Sequence, residues 1–182
     1  MAKVNVTIVG LGFVGSSIGL AVKASKADVK VIGHDKEPTV ARKALKKGAV
    51  DKADWNLISA CEQADIIVIA TPLMAVKETM EAIAPYIKPG CLVTDTATIK
   101  GPVISWADEI LPDEVNFIGG NPIIENTTEI TGADAASAEV LKDALYCLIP
   151  SPKASGSSME LATAFVTSLG ARPYFLDAAE HD

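Results

Sequence analysis

The sequence predicts an α/β domain built on a mostly parallel sheet, and three observations lead there. Short β-branched runs alternate with stretches of helical periodicity along the whole chain. Glycine and proline punctuate the joins, at positions where helices start or stop. With 182 residues, 49% of them hydrophobic, the chain has enough apolar mass for one well-buried domain and too little length for two.

The elements follow in order. Val4–Val9 opens as a strand; MAKVNVTIVG carries a single lysine and lacks the pattern of a signal peptide. A helix is expected over Val14–Ala24 and a second strand over Val29–Gly33. The next helix, Thr39–Lys47, has Pro38 in its first turn and Gly48 where a C-terminal cap belongs. Strand Ile66–Ala70 precedes helix Met74–Ile87, and strand Cys91–Thr94 precedes helix Pro102–Leu111. Val115–Ile118 and Leu145–Ile149 are further strands, separated by the least regular stretch, Glu125–Ala136. Ser157 and Glu160 have the spacing of a capping box for helix Ser158–Leu169, in which Leu161, Phe165 and Leu169 mark one buried face before Gly170. After strand Pro173–Leu176, Asp177 and Glu180 repeat the box, with His181 and Asp182 next.

Bulk properties exclude several function classes. A net charge of −7 disfavours nucleic acid and anionic membrane as main partners. No apolar run reaches the roughly 20 residues that span a bilayer. Cys61, Cys91 and Cys147 are scattered, without metal-ligand spacing, which predicts reduced buried thiols, a cytoplasmic location and no metal.

The strongest local signal is Gly10-Leu-Gly12-Phe13-Val14-Gly15, which directly follows a strand and opens a helix. In that context the three glycines read as a dinucleotide fingerprint: Gly10 for the tight turn, Gly12 for backbone approach to a pyrophosphate, Gly15 for close helix–strand packing. Asp35 ends the second strand, twenty residues after Gly15. A carboxylate there accepts hydrogen bonds from the adenosine ribose and repels a 2′-phosphate, favouring NAD over NADP. Lys36 and Arg42 are near enough to soften that preference, while His34 points the other way and reads as a packing residue. The fold so predicted is Rossmann-like and doubly wound, with helices on both faces, and its ligands lie beyond the carboxyl ends of the strands. Thr71 and Pro72 would line the nicotinamide side there. Thr98 would offer a hydroxyl and Lys100 a cation beside it; the plainer alternatives are a helix N-cap and a solvated charge. Asn121 follows Gly119 and Gly120 and precedes Pro122, so it is either presented to the cleft or folded back as a turn residue.

Taken in series, GLGFVGSSIGLA, GHDKEPTVARKALKKGAVDKA, ADIIVIATPL, LVTDTATIK and FIGGNPI resemble the nucleotide-binding part of prephenate/arogenate dehydrogenases. The resemblance implies an NAD-dependent enzyme of tyrosine biosynthesis. Hydride would pass from the ring carbon bearing the hydroxyl to the nicotinamide, with loss of carbon dioxide as the ring becomes aromatic. In that family a G-G-H-P histidine accepts the hydroxyl's hydrogen bond and a serine assists. Here Asn121 stands at the histidine position and Thr98 at the serine position. An amide can hold a hydroxyl but cannot take its proton, which makes His181 the next candidate acceptor. DAAEHD resembles the junction at which the family's helical dimerisation domain begins. Residues 1–176 would then be the dinucleotide-binding domain and 177–182 the start of a missing helical domain, with a homodimer expected only where that domain is present. This chain should be a monomer or weak dimer, poorly ordered from Glu180 onward. Two other readings stay open: another hydroxyacid-type NAD(P)-dependent dehydrogenase, or a nucleotide-binding protein without turnover.

Overall fold

The computed structural model describes residues 3–125 and 132–182. Among these residues the strands are β1 (Val4–Val9), β2 (Val29–His34), β3 (Lys52–Ala53), β4 (Ile66–Ile69), β5 (Leu92–Asp95), β6 (Asn116–Pro122), β7 (Leu145–Pro150) and β8 (Arg172–Phe175). They form one eight-stranded sheet in the order β3-β2-β1-β4-β5-β6-β7-β8. Pairing is parallel from β3 through β6; β7 runs antiparallel to β6, and β8 parallel to β7. The strand order reverses at β1, so the boundary between β1 and β4 is the topological switch point, where ligands of such sheets bind.

The helices are α1 (Phe13–Ala24), α2 (Pro38–Lys47), α3 (Leu57–Cys61), α4 (Leu73–Ile83), α5 (Gly101–Ile110), α6 (Gly156–Ser168) and α7 (Ala178–His181). They cover both sheet faces. On one face Ile18 and Val22 of α1 and Phe165 and Val166 of α6 pack with Val6, Ile8, Leu92 and Leu148. On the other, Val76 and Met80 of α4 and Val103 of α5 pack with Ile67, Ile69, Val93 and Phe117. Every residue of β4 is buried, which is why Ile66-Ile-Val-Ile69 reads as an unbroken apolar run rather than an alternating one.

Local chemistry sets several ends as expected. Pro38 occupies the first turn of α2, and Gly48 closes it in the left-handed region at φ 86°. The Asp177–Glu180 capping box forms in full, each side chain accepting from the other residue's amide. Glu180 and His181 are therefore helical, where a poorly ordered end was expected.

Four expectations are corrected. The cap of α6 is Ser155, whose hydroxyl accepts from the Ser158 amide, so Ser157 lies inside the helix and makes no capping box with Glu160. Helix α4 stops at Ile83 and passes into a 3₁₀ turn over Ala84–Tyr86, because Pro85 has no amide to extend the α-helical ladder. Strand β6 runs on to Pro122 rather than ending at Ile118, since antiparallel pairing with β7 continues from Ile118↔Pro150 to Pro122↔Tyr146. Finally, β3 and α3 were not expected, being too short to show a period. Of the irregular stretch Glu125–Ala136, residues 126–131 lie outside the described residues, and Ala133–Ala135 forms a 3₁₀ turn.

The three cysteines are free and buried. Burial pushes the Cys61 and Cys91 thiols up to about 12. No helix of the described residues is long and apolar enough to cross a membrane.

The glycine turn gives a stability test. A Cβ at Gly15 would lie 1.9 Å from the Gly10 carbonyl oxygen, whereas one at Gly12 would meet nothing within 4 Å. Urea unfolding should show Gly15→Ala destabilised by roughly 1–3 kcal/mol or more, as for an overpacked core, and Gly12→Ala close to the parent.

Candidate active site

At the carboxyl end of β1 the chain turns sharply. Gly10 sits at φ +93°, and a Cβ there would lie 2.5 Å from the Ala70 carbonyl oxygen, so the turn excludes other residues. Helix α1 then begins at Phe13 with Gly12 as its N-cap, no side-chain cap, and no acidic residue in its first turn. Amide hydrogens and the positive end of the helix dipole are thus left available beside open space at Gly12, a fit for a pyrophosphate. Ser16 and Ser17 are buried, and the Ser16 hydroxyl donates to the Leu11 carbonyl at 2.8 Å, bracing the loop from below.

Asp35, just beyond β2, is tied to this loop. Its carboxylate accepts from the Leu11 amide at 2.9 Å and the Glu37 amide at 2.8 Å. It therefore fixes the glycine loop and retains lone pairs for further donors. Lys36 beside it is exposed. His34 Nδ1 lies 2.9 Å from the Asp54 carbonyl oxygen, a packing contact. Thr71 comes close to Gly10, its Cγ2 being 3.1 Å from where a Cβ would stand, and Pro72 is the N-cap residue of α4. Gly10, Gly12, Phe13, Val14, Gly15, Asp35, Lys36, Thr71 and Pro72 thus gather at the carboxyl ends of β1, β2 and β4.

The second half of the site differs from expectation at Lys100. Its side chain is neither a solvated charge nor a cation facing the cleft. Lys100 and Asp95 are both fully buried, Nζ to Oδ2 at 2.5 Å. The Asp95 carboxylate also accepts from the Ala97 amide at 3.0 Å and the Gly120 amide at 3.1 Å. Burial pushes the Asp95 carboxyl up and the Lys100 ammonium down; their mutual attraction opposes both shifts without cancelling them.

That pair explains the twin glycines. A Cβ at Gly120 would stand 2.5 Å from the Asp95 carbonyl oxygen, and one at Gly119 would stand 3.0 Å from Lys100 Cδ. The close approach is to the protein's own β5 and lysine stem. Asn121 is accordingly a strand residue, paired with Cys147, rather than the residue after a strand's end.

Asn121 is 7% exposed, and its Nδ2 lies 2.9 Å from His181 Nε2. His181 Nδ1 in turn lies 2.6 Å from Asp182 Oδ1. Asp182 reaches further, accepting from the Lys100 and Gly101 amides at 2.8 Å each. It thereby covers the start of α5, the place at which Thr98 was considered as a cap. Thr98 itself is exposed and is not the N-cap of α5. Burial acts to raise the Asp182 carboxyl, but the His181 contact and the two amides outweigh it and hold it below its ordinary value.

Reasoning from sequence missed two residues of this arrangement. Asp95 has a local signal, since a strand-end aspartate five residues before a lysine is the spacing that forms the pair. Asp182 has none, as the backbone amides it accepts from lie more than eighty residues away.

Breaking the pair on one side should be costly. Lys100→Met leaves a buried carboxylate with two amides and no cation, and should lose about 3–5 kcal/mol in urea unfolding. Adding Asp95→Asn should recover part of that loss.

Known proteins share this architecture. Residues 18–175 match the family model described as prephenate dehydrogenase, nucleotide-binding domain. The prephenate dehydrogenase of Bacillus subtilis (strain 168) is 30% identical over 181 residues, 99% of this chain and 48% of the relative. Synechocystis arogenate dehydrogenase superposes with a TM-score of 0.88 at 26% identity, covering 97% of this chain and 61% of that one. For fold alone, the Aquifex aeolicus prephenate dehydrogenase solved with hydroxyphenyl propionate and NAD+ gives a TM-score of 0.89 at 23% identity, covering 100% of this chain and 62% of that one. The chain spans about half the length of the curated relatives it matches. Since the family match runs from within α1 to the last residue of β8, and so takes in nearly the whole sheet, this chain belongs to the prephenate dehydrogenase family, as its nucleotide-binding domain.

Proposed function

We propose that this chain is the dinucleotide-binding half of an NAD-dependent dehydrogenase that oxidises and decarboxylates prephenate or arogenate. The observation that carries the reading is the uncapped start of α1, next to the Asp35 carboxylate, in a chain of this family. Gly10, Gly12, Phe13, Val14 and Gly15 would bind the pyrophosphate with backbone amides. Asp35 would take the adenosine ribose with Lys36 at its edge, and Thr71 and Pro72 would flank the nicotinamide. Bound there, NAD supplies the hydride acceptor. Thr98 and Asn121 would hold the substrate hydroxyl so that its carbon faces that acceptor; orientation of this kind accounts for much of a rate enhancement. Lys100 acts from behind, by holding Gly120 and hence Asn121 in place through Asp95. The relatives' additional length would supply a helical domain and a homodimer interface, and the buried thiols fit a reducing cytoplasm.

A second reading, nucleotide binding without turnover, is favoured by one observation: position 121 carries an amide, which cannot act as a base. Spectrophotometric assay of NAD reduction with prephenate and with arogenate, in the protein carrying its helical domain, decides between them. Reduction with either substrate supports the dehydrogenase; NAD binding without reduction by either supports the alternative.

Two variants sharpen the assignment. Asp35→Ser should weaken NAD binding and narrow its advantage over NADP, measured by calorimetry. Equal affinity of the parent for both cofactors would overturn the role given to Asp35. Asn121→His should raise turnover toward the ~10²–10⁴-fold that general-base help typically contributes. It should leave NAD affinity nearly unchanged, because the cofactor would be held by other residues.

A further inference from the structure

The contact between Asn121 and His181 joins two residues sixty positions apart, and it has a chemical polarity that can be worked out. Asp182 Oδ1 already accepts from the Lys100 amide, and Oδ2 from the Gly101 amide. As an ionised carboxylate it has no proton to donate. The ring nitrogen 2.6 Å away, His181 Nδ1, must therefore carry the hydrogen. In a neutral imidazole that leaves a lone pair on Nε2. Nothing but the NH2 half of the Asn121 carboxamide can satisfy that lone pair at 2.9 Å, so Oδ1 is turned to the opposite side.

We propose that His181 is a positioning residue: its protonation state sets which half of the Asn121 carboxamide is presented to the substrate. When the imidazole takes a second proton, from solvent, Nε2 becomes a donor. The same contact then requires the carboxamide oxygen, and the amide must turn by half a revolution. Its opposite end changes from hydrogen-bond acceptor to hydrogen-bond donor. A hydroxyl whose carbon is losing hydride grows more acidic, and is stabilised by an acceptor and opposed by a donor. The neutral imidazole is thus the productive state. Asn121 does not titrate, yet its usefulness does. The inference rests on the dehydrogenase reading for its consequence in catalysis, but not for the coupling itself.

The surroundings leave His181 able to act in this way. Its side chain is 6% exposed, and α7 packs against α5 and β7. Before α5 stands Lys100, which is paired with Asp95 at the end of β5, so that the two neutralise one another. On β7, Cys147 is the strand partner of Asn121, and burial pushes its thiol up. On α7 itself, Glu180 is turned back onto the Asp177 amide. Among the described residues, Asp182 is the charged group in direct contact with the ring.

The coupling can be tested without turnover. In the 15N-labelled 182-residue chain, the Asn121 side-chain amide, assigned by its loss in Asn121→Asp, should show a one-proton transition as pH is varied. The transition should match that of the His181 ring and vanish in His181→Gln. An Asn121 amide that stays flat while the His181 ring takes up its proton, or one whose transition survives His181→Gln, overturns the proposal. In the protein carrying its helical domain, kcat should fall about tenfold per pH unit on the acid side, the slope of a single protonation. That limb should disappear in His181→Gln, and its persistence there would also overturn the proposal. Absence of all turnover counts against the dehydrogenase reading, while the amide titration still decides the coupling.

Discussion

The Asp95–Lys100 pair is the constraint on which the carboxyl-terminal half of β6 and its surroundings depend. Strands β5 and β6 pair at just two positions, Leu92↔Asn116 and Val93↔Phe117, before β6 turns its hydrogen bonds to β7. A sheet that parts in its interior leaves backbone donors without partners, and unsatisfied buried donors are expensive. Asp95 fills the gap by accepting from Gly120 across the split and from Ala97 in its own loop. The carboxylate can be buried only because Lys100 is buried against it. Removing either partner therefore disturbs more than one ion pair, since the path of β6 and the placement of Asn121 follow from it.

The same device recurs around the carboxyl edge of the sheet. Asp35 holds the Leu11 and Glu37 amides, Asp95 holds those of Ala97 and Gly120, and Asp182 holds those of Lys100 and Gly101. Each carboxylate closes a turn by taking two backbone donors, which a loop lacking ladder hydrogen bonds must place somewhere. At the opposite edge, Asp51 accepts from the Val31 amide and Asp65 from the Asn5 amide, each beside a lysine. Part of the net negative charge of the chain is thus structural.

The glycine turn and the surroundings of Asn121 are held by different kinds of contact. The glycine turn is dictated by steric exclusion, with backbone atoms close enough that no Cβ fits at Gly10 or Gly15. The Asn121–His181–Asp182 chain is held by hydrogen bonds, and hydrogen bonds to imidazole change sense with protonation. The glycine turn is thus fixed by steric contact, while the orientation of the Asn121 carboxamide depends on a hydrogen-bond network.

What the sequence determined by itself is whatever depends on neighbours along the chain. The alternation of strands and helices, the Gly10–Gly15 turn, the Pro38 and Gly48 helix ends and the Asp177–Glu180 box follow from φ preferences, Cβ sterics and capping spacing, all local within a few residues. The tertiary structure decided the rest. Lys100 could have been a surface charge, and Asn121 a turn residue, on any local argument. Their roles come from Asp95 lying beneath Gly120 and from His181 and Asp182 returning to β6 and α5 across sixty to eighty-two residues. Complementary charge does not specify a partner among 16 basic and 23 acidic side chains. Only the folded backbone brings two of them within hydrogen-bonding distance and removes the water that would otherwise compete.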